Sequence, residues 1–138
     1  MRGIARLLFV TVVAVASFVV ALVSFHTVPF SECQVDAIRD PSYQAKLEEE
    51  PKVNLTSYHL LLTHNGAPVT GARVCMRANM GGPGRMPGMG TSNAAREVSP
   101  GRYELPVRLI MGGPWQVTVV AVEPGRKPVE MPFLIEVT

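Results

Sequence analysis

The chain has few of the side chains on which enzymes commonly depend. Its 138 residues include only three histidines and two cysteines, and charged residues make up 17%. No serine stands in a nucleophile-elbow pattern, and the glycine-rich residues 81–84 lack the lysine and hydroxyl of a phosphate-binding loop. We therefore expect a protein that is not an enzyme.

The chain also lacks a run of basic residues. The formal net charge is +2, and lysines and arginines alternate with acidic residues along the sequence. A nucleic-acid-binding domain needs basic side chains gathered on one face or stretch. We expect no nucleic-acid partner.

Only one long hydrophobic run is present, and it lies near the N-terminus. Residues 7–25 carry no charge, and Arg2 and Arg6 precede them. As a helix, residues 4–25 would extend roughly 33 Å at about 1.5 Å per residue, enough to cross a hydrocarbon core of about 30 Å. We predict that residues 1–25 form a single-pass membrane anchor with a cytoplasmic N-terminus, which places the remainder on the extracytoplasmic side. A cleaved signal peptide is the alternative, and it would leave the domain on that same side.

The two cysteines, Cys33 and Cys75, follow this run. In an oxidising compartment they are predicted to form a disulfide. Free thiols and a copper site of cysteine and methionine are the alternatives. Lipid attachment at Cys33 is disfavoured, because the bulky or charged residues Phe30 and Glu32 precede it where small residues are needed.

The rest of the chain divides into a connector and one domain. Residues 26–52 form a proline-punctuated connector in which residues 43–50 are expected to make a short polar helix. From residue 53 to 138 the pattern changes to short alternating segments separated by turns such as Asn65-Gly66. About seven such strands predict an all-β fold, an antiparallel β-sandwich of immunoglobulin-like type preceded by one N-terminal transmembrane helix.

The methionines are distributed unevenly over this pattern. Met76 and Met131 share faces with other apolar strand residues and are expected in the core, as is Trp115. Three others, Met80, Met86 and Met89, lie in or beside a loop rich in glycine and proline, and Met111 closes a strand.

Thioethers on a flexible backbone are the ligands that a Cu(I) site uses. We predict Cu(I) ligands at Met86 and Met89, joined by one or two of Met80, Met111 and His64. Two points stay open: whether Met111 and His64 lie at the same end of the fold as the loop, and whether the loop is instead an adaptable apolar contact.

Several segments in order carry a resemblance to known proteins. They are residues 66–74 (GAPVTGARV), 86–90 (MPGMG), 99–103 (SPGRY), 111–117 (MGGPWQV) and 133–137 (FLIEV). This order resembles the YtkA-like and FixH-like extracytoplasmic domains over roughly residues 53–138. The resemblance implies an immunoglobulin-like sandwich outside the membrane, associated with copper handling or with assembly of haem–copper respiratory oxidases.

The resemblance also assigns individual positions. Met86, Met89 and Met111 match the methionines of the family pattern, and Trp115 matches its tryptophan. Copper-binding relatives often place a histidine beside the methionine motif, whereas this chain continues Gly90-Thr91-Ser92.

Two main hypotheses for function follow. In the first, the chain is a membrane-anchored extracytoplasmic module that binds or delivers Cu(I) for haem–copper oxidase assembly. In the second, it is a non-catalytic accessory or assembly subunit of a respiratory membrane complex and binds no metal. A sandwich with some other ligand is a third alternative.

Overall fold

The computed structural model describes residue 33 and residues 35–80 and 90–138. The predicted anchor and the loop methionines Met86 and Met89 lie outside the described residues. Over the described ranges, the structure contains no helix with the length and hydropathy needed to span a bilayer.

Eight β-strands make up the described part. They are β1 (Tyr43–Leu47), β2 (Tyr58–His64), β3 (Ala67–Pro68), β4 (Arg73–Met80), β5 (Gly90–Ser99), β6 (Arg102–Leu105), β7 (Gly113–Val122) and β8 (Val129–Val137). Most of them alternate between more and less buried residues, as β6 does between partly buried and fully buried positions, because successive side chains of a strand point to opposite faces.

The strands form one antiparallel sheet in the order β1-β2-β6-β5-β4-β7-β8, with β3 added beside β2. The long strand β5 joins the two halves, because residues 90–95 pair with β4 and residues 96–99 pair with β6. The sheet curves until β1 and β8 approach each other, so it is nearly closed. The all-β, antiparallel prediction is confirmed.

The core fills the space inside this curved sheet. One core cluster includes Leu60 and Leu62 of β2 and Val117 and Val119 of β7, and all four are fully buried. Met76 and Met131 are also buried, 1% and 7% exposed, as is Trp115 at 4%. The three side chains expected to pack in the core do so.

The prediction of a helix over residues 43–50 was wrong, because Tyr43–Leu47 form strand β1. Its alternation has a period of two: Tyr43, Ala45 and Leu47 pack against the core, while Gln44 and Lys46 are exposed. The strand pairs with β2 from Tyr43 opposite His64 to Leu47 opposite Leu60. Pairing with a distant strand outweighs the local helical preference of a short charged segment.

A strap made of Cys33 and residues 35–38 covers the outer face of β4 and β7. The structure joins Cys33 to Cys75 of β4 in a disulfide, with the two Cα atoms 5.7 Å apart. Val35 and Ala37 pack with Val120 in a second, smaller apolar cluster. The strap therefore buries outward-facing strand residues that would otherwise meet water.

Beyond β1, the chain is held to β2 by Glu49. Its carboxylate accepts hydrogen bonds from the backbone N–H and from Nδ1 of His59, at 2.6 Å and 2.5 Å. Burial raises the pKa of Glu49, but the hydrogen bonds from His59 outweigh it and leave the pKa below the ordinary glutamate value. His59 is thus engaged as the partner of a carboxylate.

Candidate functional site

Residues 81–89, which include Met86 and Met89, connect two adjacent strands at one end of the sheet. The chain enters residues 81–89 from Met80, the last residue of β4, and leaves them at Gly90, the first residue of β5. Asn79 pairs with Gly90, so the two strands are in register where the loop begins and ends. We call this the methionine end and define it by Met80, Met111, Gly113 and Trp115.

Met80 is half-buried at the methionine end, between two strands. It pairs with Trp115 of β7 and packs against the edge of the core. A Cβ atom added to Gly113 would come within 3.2 Å of the Met80 methyl carbon, and Gly113 has a φ of 113°. Glycine at 113 therefore leaves space for the Met80 side chain. The sequence shows the Gly112-Gly113 pair as a turn but does not reveal this contact.

Met111 lies at the same end as Met80, which answers a question that the sequence left open. The indole N–H of Trp115 donates a hydrogen bond of 3.0 Å to the backbone carbonyl of Met111. Because Trp115 is buried and its neighbour across the sheet is Met80, this bond fixes the Met111 backbone near the β4–β7 pair. Met111 itself is 40% exposed, so part of the residue is accessible to solvent.

His64 lies at the opposite end of the sheet and does not join the methionines. Its ring stacks on Tyr43, with centroids 4.0 Å apart and planes inclined by 9°. Tyr43 in turn hydrogen-bonds Glu123, which follows the C-terminal end of β7, whereas Trp115 is near the start of that strand. At about 3.3 Å per residue, the eight residue steps from Trp115 to Glu123 span roughly 26 Å.

The residues around His64 form a packed polar cluster. Arg126 Nη1 donates to the Tyr43 hydroxyl at 3.4 Å, and the hydroxyl donates to Glu123. Burial, and secondarily the Glu123 carboxylate, raise the pKa of Tyr43, so the phenol stays protonated at neutral pH. These contacts tie β1 to the β7–β8 turn.

The chemistry of the methionine end is that of sulfur and an aromatic ring. Across residues 35–80 and 90–138, together with Cys33, no three histidine, cysteine, aspartate or glutamate side chains converge to hold a metal ion. The soft donors that the described residues supply at the methionine end are the thioethers of Met80 and Met111, whose backbones both lie beside Trp115. Such a donor set suits Cu(I) better than harder ions.

A family model described as YtkA-like matches residues 37–120, which is more than half of the chain. This chain belongs to the YtkA-like family. The match begins in the strap and extends into β7, so it includes β1, Met80 and the methionine-bearing residues 81–89, and also Met111 and Trp115. No curated protein and no solved structure shows significant similarity to this YtkA-like chain.

Proposed function

We propose that the chain is a membrane-anchored, extracytoplasmic Cu(I)-binding module. Met86 and Met89 are the proposed ligands from residues 81–89, and Met80 and Met111 complete the set. His64, one of the ligands predicted from sequence, is left out because of its distance along the sheet. The immunoglobulin-like type of the sandwich and the N-terminal anchor remain predictions from sequence.

The proposal rests mainly on one observation. Met80 and Met111 are 31 positions apart in sequence, yet both lie at the end of the sheet where residues 81–89, which include Met86 and Met89, leave β4 and return to β5. A methionine that served only packing would follow the core stripe, as Met76 and Met131 do. Met111 instead exposes 40% of its surface, and its backbone is fixed by Trp115.

The proposed chemistry is transport without catalysis. Thioethers are neutral, soft ligands, so a site of three or four of them selects Cu(I) and needs no proton release on binding. From sequence, the glycine- and proline-rich residues 81–89 are expected to permit ligand exchange, which would allow Cu(I) to pass to an acceptor. An assembling haem–copper oxidase is the acceptor that we propose.

The Cys33–Cys75 pair supports the proposed location. Disulfides form and persist in secreted and periplasmic proteins and are rare in the cytosol. Both cysteines are almost fully buried, at 1% and 3% exposed, which shelters the bond from external thiols. The same oxidising side of the membrane is where the predicted anchor would place the domain.

A second candidate function is an accessory or assembly subunit that binds no metal. It is favoured by Ile110, which is 66% exposed beside Met111. An exposed isoleucine next to an adaptable methionine suits contact with another protein. Competition for Cu(I) separates the two candidates.

The full 138-residue chain, in a mild detergent, should compete with a chromogenic chelator for one equivalent of Cu(I). Replacing Met80 and Met111 with leucine removes two sulfurs and nearly conserves volume. We expect the affinity to fall at least tenfold for each sulfur lost, about 1.4 kcal/mol apiece.

Met131→Leu is the matched control, because it removes a buried sulfur far from the proposed ligands. Its affinity should equal that of the wild-type chain. No competition by the folded wild-type protein would reject Cu(I) binding and favour the accessory subunit.

A further inference from the structure

An open cleft lies between β1 and β8, the two strands at the ends of the sheet path. These strands approach each other without forming a ladder, since β1 pairs with β2 and β8 pairs with β7. The cleft has a volume of about 460 Å³, which falls in the range of about 300–1,000 Å³ usual for small-molecule sites. Among the described residues that line it, neither Met80 nor Met111 occurs, so it is separate from the proposed copper site.

The apolar part of the wall comes from side chains that also belong to the core. Ala45 of β1 and Met131 and Phe133 of β8 line the cleft and pack with the core cluster. Ala45 stands between two larger inward residues of β1, Tyr43 and Leu47, and its methyl group fills less of the space between the strands than either of them would. Phe133 is half-buried, although Met131, two positions earlier on the same inward face, is buried. The cleft therefore presents apolar surface that the described chain leaves partly uncovered.

Four charged side chains line the cleft, namely Arg39, Asp40, Lys46 and Glu130. Three of them already have partners. Arg39 Nε lies 3.0 Å from the Glu130 carboxylate, and Asp40 accepts hydrogen bonds from the N–H and hydroxyl of Ser42, at 3.0 Å and 2.6 Å. Lys46 differs from these three, because it is exposed and its ammonium group forms no ion pair or hydrogen bond with the described residues.

The charge that remains around the cleft is positive. Glu130 is approached by a second arginine, since Arg77 Nη2 lies 3.7 Å from its other carboxylate oxygen. The two carboxylates, of Asp40 and Glu130, are thus outnumbered by the three cations Arg39, Arg77 and Lys46. A ligand with one negative charge matches this balance, and a phosphate or a dicarboxylate exceeds it. Its charged group belongs at Lys46, because the two arginines are already paired with Glu130.

We infer that this cleft binds a small monocarboxylate with a short apolar tail. The tail lies against Ala45 and Phe133, and the carboxylate pairs with Lys46. Gln44, which also lines the cleft and is exposed, offers its amide N–H to the second carboxylate oxygen. Small-molecule sites are usually built in this way, from apolar walls and a few polar groups that orient the ligand. Such a ligand needs no hydrogen bond from the backbone of either strand, so it does not depend on the spacing of the two edges.

The probe is isocaproate, added to the full 138-residue chain in detergent micelles. We expect saturable NMR shifts of the Ala45, Lys46 and Phe133 amides. Ala45→Leu places a larger side chain in the cleft and should weaken binding at least tenfold, because the apolar tail loses the surface that it covers. Lys46→Gln should weaken binding about fivefold, which is the contribution of one exposed ion pair.

Two controls isolate the charge. Isocaproamide has the shape of the acid without its charge, so it should bind the wild-type chain about fivefold more weakly than isocaproate, and Lys46→Gln should not weaken it further. The neutral amide enters micelles at least as readily as the ionised acid, so partition into detergent does not produce this order. Lys127→Gln is the matched variant, because Lys127 is exposed but does not line the cleft, and it should bind isocaproate as the wild type does.

The inference is overturned by the absence of saturable shifts at millimolar isocaproate, or by equal affinity for the acid and the amide. It is also overturned if Ala45→Leu keeps the wild-type circular dichroism spectrum and the wild-type affinity. Should Ala45→Leu not fold, the comparison of acid and amide in wild type and Lys46→Gln decides alone. Binding of acetyl-valyl-leucine at least tenfold tighter than isocaproate would overturn the inference in favour of the C-terminus of a polypeptide.

Discussion

Replacing Trp115 with alanine is expected to destabilise the fold by about 3–5 kcal/mol, the usual cost of removing a buried large aromatic side chain. Trp115 is 4% exposed, and it lies between Met80 on β4 and Ile135 on β8. Its loss would leave a cavity at the methionine end and release the Met111 carbonyl. Urea denaturation followed by circular dichroism measures the change without requiring the chain's only tryptophan as a probe.

Trp115→Phe is the matched variant, because it keeps an aromatic ring but removes the indole N–H. It should be destabilised by less than Trp115→Ala. It should also weaken Cu(I) binding, since Met111 is no longer fixed by the 3.0 Å hydrogen bond. A free energy of unfolding within about 1 kcal/mol of wild type for Trp115→Ala would show that the ring is not part of the core.

Removing the disulfide is the second change with a large expected effect. The bond joins residues 42 positions apart, and closing a loop of this size stabilises by about 4 kcal/mol in the chain-entropy model. The double variant Cys33→Ser and Cys75→Ser should lose stability of that order. Residues 35–37 of its strap should also exchange backbone hydrogens faster, because the small cluster around Val120 would hold them without the covalent link, while Ile38 keeps its hydrogen bonds to Pro128 and Glu130.

Two controls separate the bond from the packing. Wild-type protein titrated with denaturant in the presence of dithiothreitol should have the same free energy of unfolding as the double variant, since both lack the same covalent link. Val120→Ala keeps the disulfide and removes only part of the cluster. It should therefore destabilise the fold less than the double cysteine variant does, and the backbone hydrogens of the strap should still exchange slowly. A double variant as stable as the oxidised wild type would mean that the link does not restrain the unfolded chain.

The strands could be predicted because apolar residues alternate with polar ones along the sequence, with the same two-residue period as the burial. Tyr103 and Leu105 on β6, or Val117 and Val119 on β7, point inward at every second position. The helix expected over residues 43–50 failed because the segment is short and charged. Its stability as a strand comes from β2, which a local pattern does not include.

The arrangement of the candidate site depends on topology, which the sequence left undetermined. Met111 and His64 both follow strand-like segments, and nothing local tells at which end of the sheet each lies. The pairing of β4 with β7 brings Met80 opposite Trp115, and the pairing of β1 with β2 brings His64 against Tyr43. The Cys33–Cys75 disulfide was predicted from sequence, but the packing of the strap was not, because it depends on outward-facing residues such as Val120.

Copper K-edge X-ray absorption of the Cu(I)-loaded full chain tests the central claim most directly. We expect sulfur alone around the copper, with three or four thioether ligands and no imidazole scattering. Substituting Met80 and Met111 with leucine should lower the sulfur count, whereas His64→Ala should leave the spectrum unchanged. Imidazole nitrogen in the first shell, or a spectrum unaffected by the methionine substitutions, would contradict a copper site at the methionine end.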